Sequence, residues 1–175
     1  MAEMTWKSFE EDYERLFERV WQACFLLTGS VKAAEDHCFR AFLVLGAAKN
    51  AENVIESRTA EELLGHAVGE LARRYYGKQP RRRLTRRFLM KHPLPVAVTD
   101  GMLSFMHLPL NTRIVSVLYD WGVAADRLYE AAGLRVLRPK AVPLPDMTDT
   151  LPPSALKPQM KDRIYMRFSE RSVAV

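Results

Sequence analysis

Apolar residues return every three or four positions through most of the first 78 residues. Trp6, Phe9, Tyr13, Leu16, Phe17, Val20, Cys24 and Leu27 make one such stripe, with Glu10, Glu11, Glu14, Arg15, Glu18 and Arg19 between them. That spacing predicts an amphipathic helix. Gly29 follows the last apolar residue, where a left-handed cap is expected. Ser30 then stands where its hydroxyl can accept the orphan amides of a second helix. This second helix is predicted to run to about Ala48, with Val31, Ala34, Cys38, Ala41, Phe42 and Leu45 inward. The polar stretch NAENVIESRTAEE predicts a loop. Thr59 and Glu62 stand in capping-box spacing before a third helix that uses Leu63, Leu64, Ala67, Val68, Leu71 and Tyr75.

Gly77 and Pro80 end this first unit. A further helical stretch is predicted from near Asp100, as two or three short helices broken at Pro109 and Gly122. Beyond Leu134 the prolines at 139, 143, 145, 152, 153 and 158 exclude a continuous helix. The end of the chain predicts one last amphipathic helix around Met160, Ile164 and Phe168. The expected fold is therefore all-α. Two small helical domains, residues 1–78 and 102–138, are expected, joined by a linker over 79–101 and followed by a proline-rich tail over 139–175.

The chain has 175 residues and is 48% hydrophobic, enough for a packed core. Its N-terminal stretch lacks the basic and apolar regions of a signal peptide, and no segment has the length of a membrane span, so no membrane insertion is expected. Cys24 and Cys38 fall inside predicted helices without a CxxC pair and read as buried, reduced thiols of a cytoplasmic protein. His37, His66, His92 and His107 are scattered, with no metal-ligand spacing. The eight glycines never cluster into a phosphate loop, and no nucleophile signature appears. Glu35 and Asp36 are adjacent on a helix and point about 100° apart, so they cannot flank one reacting atom. The chain is read as a non-enzyme without a cofactor.

Charge adds one feature. The net charge is +5, but nine Lys or Arg residues and no acid lie between Arg73 and Lys91. Arg73, Arg74, Lys78, Arg81, Arg82, Arg83, Arg86 and Arg87 could neutralise phosphates, and the interleaved Tyr75, Tyr76 and Phe88 could stack on unpaired bases. A solvated linker accounts for the same residues equally well.

Three stretches, YERLFERVWQACFLLTGS, KAAEDHCFRAF and LLGHAVGELARRYYGKQPRRR, resemble in order and spacing region 2 of the sigma-70 family, of the extracytoplasmic-function type. Ala34, Glu35, Asp36 and Phe42 match the family's most recognisable piece, in the helix that docks on the clamp of the polymerase beta-prime subunit. The resemblance implies binding of core RNA polymerase through Glu35, Asp36, Phe39 and Phe42. It also implies contact of the third helix and the basic residues beginning at Arg73, Arg74, Tyr75 and Lys78 with melted promoter DNA. The stretch LPLNTRIVSVLYDWGVAADRLYEAAGL resembles region 4, the helix-turn-helix for the more distant promoter element. The family commonly has an anti-sigma partner.

There are departures. Phe39 stands where the family has Gln, Leu63 where it has Trp, and Glu70, which would repel phosphate, where it has Asn. Tyr129 replaces a small residue at a close helix crossing. RVLRPKAVPLP leaves about one turn for the recognition helix before Pro139, with Arg135 and Arg138 left to touch phosphate. The leading expectation is a divergent sigma factor directing promoter-dependent initiation. The alternative is a sigma-derived regulator or protein-interaction module that has lost promoter reading. A third reading is an unrelated helical protein binding nucleic acid nonspecifically.

Overall fold

The computed structural model describes residues 2–51, 58–78 and 98–173, and these form seven helices and no strand. They are α1 (Ala2–Thr28), α2 (Val31–Asn50), α3 (Ala60–Lys78), α4 (Asp100–Met106), α5 (Leu110–Asp120), α6 (Leu128–Ala131) and α7 (Leu156–Val173). The chain is all-α, as its periodicity predicts.

The caps are set by local chemistry. Gly29 takes φ of 66° after α1. The Ser30 hydroxyl accepts from the Ala33 amide at 3.2 Å, the Thr59 hydroxyl from Glu62 at 3.2 Å, and the Thr99 hydroxyl from Met102 at 3.2 Å. Each satisfies an amide that the helix leaves without a partner. The Glu62 carboxylate turns away from that cap and pairs with Arg127 at 3.1 Å, tying α3 to the turn before α6.

The first three helices share an aromatic core. Phe9, Tyr13 and Phe17 of α1 surround Phe42 of α2, with ring centroids 6.4, 4.7 and 6.4 Å away. Such pairs add about 0.5–1.5 kcal/mol each beyond their buried area. Around the rim, Lys49 bonds Asp12, and Arg15 reaches both Asp12 and Glu61, so α1, α2 and α3 are laced together.

The second half of α1 is buried on all sides. From Val20 to Gly29 only Gln22 is not buried, and its amide donates to the carbonyls of Met147 and Thr150. A helix that is apolar all round needs cover all round. That cover comes from beyond the basic run: α4 and α5 pack on α1, and α5 also packs on α3. A Cβ at Gly65 of α3 would lie 1.9 Å from Leu118 of α5, so the two helices meet where a side chain is missing. The Arg113 guanidinium of α5 is buried and donates to the carbonyls of Leu26 and Leu27 at 3.0 Å each. It thus closes the C-terminal end of α1, where a cation is favoured. The helices on either side of the basic run share one continuous apolar core.

After α6 the chain departs from helix. The region-4-like stretch yields α5 and a single-turn α6, and residues 132–155 contain no helix. This segment runs over the bundle, held where Ser116 accepts from the Val142 amide at 2.9 Å and Tyr129 donates to the Pro139 carbonyl at 3.2 Å. It delivers the chain to α7, which lies along α1 and α2.

Candidate functional site

The acidic pair stands near the start of α2. One turn of helix separates Glu35 from Phe39, so the two share a face, while Asp36 points to the next face. The Glu35 and Asp36 side chains are 45% and 50% exposed. Asp36 pairs with Arg40 at 3.0 Å, and Glu35 lies 3.8 Å from Arg163 of α7. The Arg163 guanidinium also sits 4.3 Å from the Phe39 ring centroid, a cation–π geometry. Phe39 is 8% exposed, with Arg163 of α7 over its ring.

Phe42 corrects one expectation. It is 0% exposed and enclosed by the α1 aromatics, so it is not a contact residue in this conformation. Its ring fixes α2 against α1 and thereby sets where Glu35 and Phe39 stand. The sequence pattern carried this signal, since Phe42 lies on the inward stripe with Cys38 and Leu45.

The residues expected to touch nucleic acid divide. Arg73 is drawn inward: it donates to Glu70 at 2.9 Å, approaches Asn111 at 3.4 Å and bonds the carbonyl of Ala132 just after α6. Its charge neutralises a carboxylate and a helix C-terminus, so it is not free for phosphate, contrary to expectation. Arg74 is exposed. Tyr75 packs edge-to-face on His37 and on Tyr76, with centroids 5.8 and 5.4 Å away, and is half-buried. Lys78 ends α3. Arg81, Arg82, Arg83, Arg86 and Arg87 lie outside the described residues.

Arg135 and Arg138 are exposed, and Arg138 stacks 5.3 Å over the Tyr129 ring. Both line an open groove with His66, Glu70, Asp126 and Glu130. Two arginines facing three carboxylates do not make a positive track for a phosphate chain. The groove also lacks the recognition helix that would enter a major groove, because residues 132–155 hold no helix.

The titratable interior is quiet. Burial pushes the Cys24 and Cys38 thiols upward, which keeps them protonated and shielded. Burial also lowers His37, outweighing the opposing charge of Asp36, so its ring is neutral in the fold. Among the described residues no three His, Cys, Asp or Glu side chains group to hold a metal ion. None of the helices there is long and apolar enough to cross a membrane.

Sequence reasoning missed Arg163, the residue that meets both Glu35 and Phe39. The available signal was charge: α7 carries five basic and two acidic residues, and α1 carries six acidic and three basic. No family model, curated protein or solved structure matches this chain.

Proposed function

We propose that this chain is a divergent sigma-type protein that binds core RNA polymerase through the α2 face bearing Glu35, Asp36 and Phe39. One observation carries the reading. An acidic pair half open to solvent, beside a Phe, stands on a helix held rigidly by Phe42, which suits a surface that must meet a partner in one orientation. The order of residues resembling sigma region 2 makes the polymerase clamp the partner of choice. Promoter DNA and an anti-sigma protein are the further partners that this reading brings.

The test is binding to purified core polymerase, followed by transcription from a pool of genomic fragments. The Glu35→Lys/Asp36→Lys variant is expected to lose at least tenfold in polymerase affinity, about 1.4 kcal/mol, with its helicity unchanged. Unchanged affinity with intact helicity removes the assignment.

A specific observation favours a second reading, in which the protein binds polymerase but does not select promoters. Region 4 reads its promoter element through a recognition helix, and the chain has none between Ala131 and Leu156. Arg73 and Glu70 neutralise one another at the place expected to meet melted DNA. Polymerase binding without initiation at a shared promoter sequence is the result that selects this regulator.

A further inference from the structure

α7 lies in the groove between α1 and α2, where its basic side chains meet acidic ones of α1 and α2 and two tyrosine hydroxyls add hydrogen bonds. Lys157 pairs with Glu14 at 2.7 Å and Lys161 with the same carboxylate at 3.1 Å. The Tyr165 hydroxyl donates to Glu10 at 2.6 Å, and the Tyr13 hydroxyl donates to the Lys157 carbonyl at 2.6 Å. Arg163 lies over the Phe39 ring and engages Glu35, whose side chain stays partly open to solvent. Below these, Leu156, Met160, Ile164 and Phe168 face the groove, one apolar side chain per turn. Phe168 fills the space over Gly46, where a Cβ would come within 2.6 Å of its ring.

This helix is attached by a narrow stripe and a set of largely exposed ion pairs. Pairs of that kind contribute about 0–1 kcal/mol each. The stripe is one residue wide, against the broader apolar faces that join α1, α2 and α3. A basic amphipathic helix of this sort is what an acidic, aromatic groove recognises, and here the chain supplies it itself. Phe39, buried, and Glu35, engaged by Arg163, are two of the residues through which the α2 face would meet polymerase.

We propose that α7 is a removable cover of the docking face: while it occupies the α1–α2 groove, Glu35 and Phe39 are closed to core polymerase, and polymerase binds when it leaves. The inference rests on the polymerase-docking reading for the identity of the competitor, but the occupancy of the groove is testable without it. A site open for only a fraction of the time shows an affinity reduced by that fraction.

The experiment uses the full chain, its Lys157→Glu/Lys161→Glu/Arg163→Glu variant, core RNA polymerase and a synthetic peptide of residues 156–173. Hydrogen exchange is expected to accelerate in α7 of the variant and to stay unchanged in α1 and α2. Polymerase affinity then rises about tenfold, the gain for a site open one time in ten that becomes open throughout, and added peptide reverses it. Released α7 with no gain in affinity refutes the cover. Should charge reversal leave α7 in place, Tyr165→Ala/Phe168→Ala removes its aromatic anchors and repeats the comparison; unaltered affinity there refutes it equally. If α7 is released and neither chain binds polymerase, the polymerase reading fails alone, and labelled peptide decides the rest. Capture by the variant but not by the unaltered chain upholds α7 as a removable occupant. Capture by neither overturns it.

Discussion

α1 and α7 are both amphipathic and run antiparallel against one another, yet they are held in different ways. α1 is the axle of the bundle: its first half buries one stripe, its second half is buried all round, and four other helices pack on it. α7 buries one residue per turn and leaves Met166 and Arg167 in solvent. The axle is held by volume, the cover by a narrow apolar stripe and by charge. Removing volume should therefore break the whole molecule, and removing charge should release only α7.

The largest effect is expected at Phe42. Replacing it with Ala empties the centre of the aromatic cluster and should cost about 3–5 kcal/mol, read as a lower denaturant midpoint for the entire chain. The corresponding loss on the other side is Arg113→Met. It leaves the Leu26 and Leu27 carbonyls buried without their donor, at a cost of about 1–3 kcal/mol. Because Arg113 belongs to α5 and its acceptors to α1, both ends of the chain should lose protection together in hydrogen exchange. Loss confined to α4–α6 would mean that the two halves unfold independently.

How the halves join was only partly legible in the sequence. The stripe through Phe9, Tyr13, Leu16 and Phe17 gave α1 one inward face, and Gly29, Ser30 and Thr59 marked helix ends where they occur. The run VWQACFLL gave more than a stripe, because Trp21, Phe25 and Leu26 are apolar off the first face. A helix of an isolated small domain could not bury them, and α4 and α5 do. Arg113 was invisible as a helix cap because its acceptors lie far away in sequence. The proposed docking face was half legible. Glu35 and Asp36 were identified by order and spacing, but the contact of Arg163 with Glu35 and Phe39 depends on a chain return across proline-rich sequence, which no local pattern specifies.

A smaller and more selective change is Gly46→Ala. Within α2 the substitution favours helix by about 0.5–1 kcal/mol. The added methyl meets the end of the Phe168 ring, so the ring or the last turns of α7 that carry it must shift. The expected outcome is an α1–α2 body as stable as before or more so, with faster exchange in α7 alone. Equal slowing of exchange in both would mean that Phe168 swings aside and α7 stays.

The smallest effect separates the same two regions by pH. Hydrogen bonds from Lys157, with burial opposing and Lys161 assisting, hold the Glu14 carboxyl below its ordinary value of 4.5. Its folded value is depressed, so its contribution is present above 4.5 and is lost as pH falls through the folded value. His37 is depressed by burial below 6.5 and is neutral in the fold. Between its folded value and 6.5 the unfolded chain binds more protons, so the body around α2 and α3 loses stability as pH falls through that window. The two groups act at different pH and on different contacts. Acidification from pH 7 should first lower the global unfolding midpoint, an effect removed by His37→Gln. Only below pH 4.5 should the exchange of α7 rise beyond that of α1, an effect removed by Glu14→Gln. If α7 loosened already at the pH where His37 titrates, in the Glu14→Gln variant as well, its attachment would depend on the body's packing and not on its own ion pairs, and the distinction between axle and cover would fail.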